Sequence, residues 1–204
     1  MLSSTYMSAL TELYKEISRC QNCRLAETRN KVVPGEGPED ASLFFIGEAP
    51  GWNEDQQGRP FVGQAGAFLE HLLSLINLKR DQVYIANVIK CRPPQNRDPL
   101  PPEIQSCHKW LSLQIEIIKP RMIITLGRYS LARYFPGESI GKTHGKARVQ
   151  DGIIYYPMYH PAAALHQNKL RKTIEVDMLA IPGLLAQTER ITKIPAEVQQ
   201  LNLF

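Results

Sequence analysis

The stretch SLFFIGEAPGWNEDQQGRPFVGQAG, residues 42–66, runs from a short apolar segment straight into a loop carrying three acids and five glycines. An apolar run as short as SLFFI suits a strand buried on both faces, because a helix needs ten or more residues. A chain that only had to turn a corner after it would need about four residues. Here the loop spans residues 47–66, with Glu48, Glu54, Asp55 and Phe61 set among the glycines. Glycines at 47, 51, 63 and 66 let backbone approach a ligand closely. The segment therefore reads as a pocket wall at the end of a strand.

Working outward, three further runs have the same character: VYIANVI at 83–89, RMIITL at 121–126 and IIYYPMY at 153–159. Helical spacing marks residues 5–18, through Leu10, Leu13 and Ile17, and then roughly 65–77, 102–118, 128–135 and 169–185. Strand alternating with helix predicts an α/β fold, a parallel sheet with helices on both faces. Residues 1–190 are expected to form a single domain and 191–204 a C-terminal tail. In open sheets of this kind, ligands bind outside the carboxyl ends of the strands. Gly47-Glu48, Asn87, Gly127 and His160 all fall at such ends, so topology alone brings them to one cleft.

Composition sets the outer limits. The 204 residues are 43% hydrophobic and 22% charged, as in an ordinary globular domain. No apolar run reaches the ~18 residues of a membrane span, and no basic region followed by an apolar core marks a secretion signal. A cytoplasmic protein is expected. A net charge of +4 and a pI near 8.9 permit a polyanionic partner without requiring one.

Four cysteines form two groups, Cys20 with Cys23 and Cys91 with Cys107. Disulfides are not expected in a cytoplasmic chain, so two paired groups point to a metal. The spacing fits zinc or an iron–sulfur cluster equally. Using all four leaves no open ligand position, so the group would be structural or would position DNA. It would stiffen the proline- and arginine-rich connection CRPPQNRDPLPPE, residues 91–103.

Taken singly, Glu48 could be a solvated loop acid, Phe61 a core aromatic, and His160 merely the residue before a helix-starting proline. Asn87 is harder to dismiss, since a buried amide without partners costs ~1–3 kcal/mol. Together they supply a stacking ring, an amide with both donor and acceptor, an imidazole and a carboxylate. That set can read a free base edge.

The motifs GEAPGxxED…GxPFVGxAG, NVIKCRPPxNRxP and HPAAAL, with the four-cysteine spacing, resemble the family 4 (iron–sulfur) branch of the uracil-DNA glycosylase superfamily. The similarity runs from Cys20 to about residue 182. It implies a three-layer α/β/α fold with a central four-stranded parallel sheet, and a [4Fe–4S] cluster on Cys20, Cys23, Cys91 and Cys107. It also implies a DNA repair enzyme that flips uracil out of single- or double-stranded DNA and hydrolyses its N-glycosidic bond, leaving an abasic site.

Within that resemblance Phe61 stacks on the base, Asn87 reads its edge, His160 faces its O2 side, and Glu48 is the acid nearest the sugar. Gly47 allows close approach. Glu54 is expected near base C5, where it would help refuse thymine. Ala49 stands where the best-known branch has a water-activating Asp, which leaves the water activator to be found. Arg92, Arg97 and Lys90, with Arg171 and Lys172, are expected on phosphates. The 160–165 loop enters the minor groove, with Ala164 or Leu165 filling the gap left by the base. Two readings compete: a non-catalytic iron–sulfur nucleic-acid-binding protein, and a redox or sensor protein in which the cleft is incidental.

The last residues, Gln200, Leu201, Asn202, Leu203 and Phe204, resemble the Gln-Leu-x-Leu-Phe peptide with which bacterial repair proteins dock on the sliding clamp. A monomer with a clamp-binding tail is the expectation.

Overall fold

A computed structural model describes residues 8–192, with side chains as far as residue 186. Its sheet has five strands: β1 (Leu43–Gly47), β2 (Tyr84–Asn87), β3 (Met122–Leu126), β4 (Arg148–Gln150) and β5 (Ile153–Met158). They lie in the order β2-β1-β3-β5-β4. The four predicted strands are all present and mutually parallel. β1 sits between β2 and β3 with all five residues buried, as its unbroken apolar run requires.

The expected four-stranded sheet is corrected by β4, which pairs antiparallel with β5 at the sheet's edge. Asp151 and Gly152, with φ of 52° and 77°, form the two-residue turn between them. An Asp-Gly pair takes this left-handed turn readily, and its twist matches that of the flanking strands. The dipeptide was the available signal for β4. The strand itself, RVQ, is too short and exposed to show a pattern.

Nine helices flank the sheet among the described residues: α1 (Ala9–Ser18), α2 (Leu25–Thr28), α3 (Trp52–Gln57), α4 (Gln64–Leu75), α5 (Pro101–Ile118), α6 (Arg128–Tyr134), α7 (Ile140–Thr143), α8 (Pro161–His166) and α9 (Asn168–Thr192). Side chains of β1 alternate between two cores, as strand geometry dictates. Leu43 and Phe45 join Leu69 and Leu72 of α4 with Ile174 and Met178 of α9. Phe44 and Ile46 join Leu13 and Ile17 of α1 with Trp110 and Leu111 of α5. Each fully buried side chain of this size contributes about 1.5–3 kcal/mol. The result is three layers, α/β/α.

The helix expected to end near residue 185 continues to Thr192. The tail motif, Gln200 to Phe204, lies outside the described residues. No helix among the described residues is long and apolar enough to cross a membrane.

Candidate active site

β2 and β3 lie on opposite sides of β1, so the chain after β1 and the chain after β3 leave the sheet in different directions. A crevice opens at such a switch point. Here it is a cleft of about 380 Å³, within the usual range for small-ligand sites. Glu48, Ala49, Glu54, Phe61, Asn87 and His160 line it, and Arg97 and Asn96 stand on its rim. Segments far apart in the chain thus meet where the strand ends predicted.

Gly47 is level with Asn87 across the β1–β2 pair. A Cβ on Gly47 would lie 2.4 Å from Asn87 Oδ1 and 2.6 Å from Phe61 Cζ, so only glycine fits between them. Phe61 is 4% exposed, and its ring stacks on that of His160 with centroids 5.5 Å apart and planes at 25°. Its backbone is left-handed, with φ of 51°, a conformation that costs a residue with a Cβ about 1–2 kcal/mol. Asn87 is buried, and its Oδ1 has no hydrogen-bond partner in the protein. A buried amide oxygen left so costs about 1–3 kcal/mol, unless a ligand supplies the missing donor.

His160 caps α8, where its Nδ1 accepts from the Ala162 N–H at 3.1 Å. Burial pushes its pKa down to about 4, against the opposing charge of Glu54. The ring is therefore neutral at physiological pH. With Nδ1 accepting, the proton resides on Nε2. Burial pushes the Glu48 carboxyl up to about 7, with Asp98 adding to the rise and Arg128 opposing it. Arg128 and Asp98 form an ion pair beside this acid. A carboxyl poised near neutral pH in a cleft is suited to general-base work.

The other two loop acids have different work. Glu54 accepts from three backbone N–H groups: Val62 at 2.9 Å, Gly63 at 3.0 Å and Gly51 at 3.0 Å. Its carboxylate ties both ends of the loop together, while its side chain still lines the cleft. Asp55 is buried and accepts from Asn30 N–H at 3.0 Å, fixing the chain after α2. The glycine-rich segment is a wall braced from behind.

The predicted DNA-contacting residues divide. Leu165 is 44% exposed, whereas Ala164 is 6% exposed and part of the core. Ala164 is therefore corrected: α8 turns its side chain inward, which leaves Leu165 facing out. Lys90 is corrected as well. It is 1% exposed, and its Nζ donates to Asn87 O at 2.9 Å and Gln114 Oε1 at 2.6 Å, so no phosphate can reach it. Arg97 is exposed and holds Glu103 through two bonds of 2.9 and 2.6 Å. Arg92 donates to Asn96 Oδ1 at 2.7 Å. Arg171 and Lys172 lie exposed on α9, with Arg171 over the Phe68 ring.

Cys20, Cys23, Cys91 and Cys107 surround one small pocket between α1, the 90–91 segment and α5. Three N–H donors point at sulfurs, each at 3.3 Å: Trp110 Nε1 at Cys20, Arg29 Nη1 at Cys91 and the Lys90 amide at Cys107. Such donors suit electron-rich thiolates. Burial pushes the Cys107 thiol up to about 11, so a cation is needed to displace its proton. The donor set fits a soft metal group. Among the described residues, no His, Cys, Asp and Glu side chains are grouped as the ligands of a single metal ion.

Residues 34–180 match the family model of the uracil DNA glycosylase superfamily. A type-4 uracil-DNA glycosylase of Sulfurisphaera tokodaii is 46% identical over 196 residues, covering 91% of this chain and 89% of the relative. The chain belongs to this superfamily, in its type-4 family. A type-4 relative from Thermotoga maritima is 41% identical, covering 83% of this chain and 91% of the relative. A type-5 uracil-DNA glycosylase of Pyrobaculum aerophilum is 31% identical, with 71% of each chain covered.

Three residues of the site had no reading in the sequence. Arg128 and Asp98 flank Glu48 from β3's end and from the proline-rich connection. Arg80, in the turn before β2, holds the backbone of Phe61 from outside the cleft. Arg128 directly follows the strand end at Gly127, which was its available signal. Arg80 had none, since nothing in its neighbourhood marks a partner in the Pro60-Phe61 loop.

Proposed function

We propose that this chain excises uracil from DNA, holding the flipped base in the 380 Å³ cleft and hydrolysing its N-glycosidic bond to leave an abasic site. The carrying observation is the buried, unpartnered Asn87 Oδ1 beside an aromatic ring and a neutral imidazole. Uracil supplies what that oxygen lacks, its N3–H, and its O4 accepts from the amide Nδ2. Cytosine offers an acceptor at N3 and a donor at its exocyclic amine, leaving buried groups unpaired, which gives large discrimination.

Cleavage builds positive charge on the sugar and negative charge on the departing base. His160 Nε2–H donates to base O2, where the negative charge develops. Glu48, ionised near neutral pH, orients water or stabilises the cationic sugar. That role falls to it because the adjacent position is Ala49. Glu54 helps refuse thymine by holding the loop wall in place. Incubation with a uracil-bearing oligonucleotide, followed by alkali, tests the reading: strand cleavage at uracil is expected, and none would overturn it.

The four cysteines are read as ligands of a [4Fe–4S] cluster, supported by the soft donor set and the N–H groups at three sulfurs. When bound, it supplies a four-point cross-link between α1, the 91–107 connection and α5. That cross-link holds Arg92 and Arg97 toward the phosphates, with Leu165 entering the gap in the stack. The chain is taken to act as a cytoplasmic monomer. Gln200, Leu201, Leu203 and Phe204 are read as a tether to the sliding clamp. Deleting residues 200–204 should abolish clamp binding and spare excision on free oligonucleotides; clamp binding by the shortened chain would discard the tether.

A further inference from the structure

Arg80 does not line the cleft, and its side chain is 14% exposed. Two of its nitrogens are nonetheless bound to the loop that carries Phe61. Nη1 donates to the Phe61 carbonyl at 2.7 Å and Nη2 to the Pro60 carbonyl, while Nε donates to Glu36. Glu36 is itself tied to β2. Its N–H donates to Ile85 O at 2.9 Å, and the Ile85 N–H donates back to Glu36 O at 2.8 Å. Ile85 is two residues before Asn87 on the same strand. A continuous chain of contacts thus joins the strand of Asn87 to the backbone of Phe61.

Phe61 needs such a hold. A residue with a Cβ keeps a left-handed backbone only where its surroundings over-determine it, and φ at Phe61 is 51°. From the other side the loop meets Gly66, where a Cβ would lie 1.9 Å from Phe61 O. Gly66 makes room for the carbonyl and Arg80 binds it. Arginine suits the task because its planar fork reaches two carbonyls and a carboxylate at once, which a lysine ammonium on a single stem cannot match.

We propose that Arg80 is a positioning residue for the glycosylase reaction: by binding the Pro60 and Phe61 carbonyls and Glu36, it sets the plane on which the flipped base stacks. The inference rests on the stacking role proposed for Phe61. Single-turnover cleavage of a uracil oligonucleotide, with circular dichroism, on the parent, Phe61→Ala, Arg80→Met and the double variant tests it. Arg80→Met should slow cleavage on the order of ten- to a hundredfold. In the Phe61→Ala background it should have less than about a twofold effect, because the ring it positions is gone. Arg80→Lys should fall between Arg80→Met and the parent. A merely structural arginine would slow both backgrounds alike, and multiplying effects would overturn the proposal, as would parent-rate cleavage by Arg80→Met. Should Arg80→Met not fold, Arg80→Lys takes its place in the cycle under the same criteria. If Phe61→Ala itself cleaves at the parent rate, the stacking role is wrong and the inference goes with it; a slowed Phe61→Ala beside an unaffected Arg80→Met rejects the inference alone.

Discussion

Gly47 and Asn87 lie side by side on β1 and β2, and the space between them is full: a Cβ on Gly47 would stand 2.4 Å from Asn87 Oδ1 and 2.6 Å from the Phe61 ring. The amide proposed to read the base edge and the ring proposed to lie beneath the base share one wall, and its thickness is set by a missing side chain. Gly47→Ala must displace one of them. Excision, measured as kcat/KM on a uracil oligonucleotide, should fall on the order of a hundredfold. Loss of folding stability should stay at about 1–3 kcal/mol, the usual cost of overpacking. Parent-level cleavage by a folded Gly47→Ala protein would mean the wall has slack.

Glu48 carries a carboxyl raised to about 7 by burial, and in the proposed mechanism it acts when ionised. The rate of excision should therefore climb with pH through 7 and level off above it. Glu48→Gln should be slow, on the order of a hundredfold down, and flat across the same range. The stability consequence has the opposite sign. A folded pKa above the unfolded value gives stability that is present at low pH and lost as pH rises through 7. Glu48→Gln should then stabilise the fold at pH 8 by about 1–2 kcal/mol and leave it unchanged near pH 4, read as Tm at each pH.

Asn87→Leu removes a buried oxygen that has no protein partner. It should raise stability by about 1 kcal/mol while abolishing excision, if that oxygen serves the proposed reading of the base edge. Asn87→Asp should shift selectivity toward cytosine, because an acid presents a different edge. A thermal melt and a paired uracil–cytosine cleavage assay check both. Unchanged selectivity in Asn87→Asp would remove Asn87 from edge reading.

Purified protein should be brown and hold about four iron per chain. Serine at any of Cys20, Cys23, Cys91 or Cys107 should lower the iron content and the melting temperature together, because binding energy of the group is folding energy. Colourless, zinc-loaded protein from an iron-replete preparation would instead assign these sulfurs to zinc.

Binding to DNA should lose roughly one unit of salt slope for each phosphate-contacting cation removed. Arg92→Ala and Arg97→Ala should each flatten the slope in this way. Lys90→Met should leave it untouched, since Lys90 is 1% exposed and bonded to Asn87 O and Gln114. A flattened slope in Lys90→Met would place that ammonium at the DNA after all.

Much of this protein was determined by local sequence. Four apolar runs too short for helices become the four parallel strands, because a strand buried on both faces is apolar at nearly every position. Their carboxyl ends bring Glu48, Asn87 and His160 to one cleft by topology. What the sequence could not decide is where side chains point once helices and loops are seated. Ala164 and Leu165 are neighbours of similar character, yet the seating of α8 on the core buries one and exposes the other. Lys90 reads as a surface cation from its charge, but the walls of the cysteine pocket and Gln114 close over it. Glu54 is expected at the pocket from the resemblance and does line the cleft, but that its oxygens also bind three amides of its own loop is decided only by the fold. Arg80 acts on carbonyls nearly twenty residues earlier, and only the folded loop brings them within 2.7 Å. Strand and helix formation follow from the period of apolar residues. Burial and partnership depend on distances between segments, and those exist only in the tertiary structure.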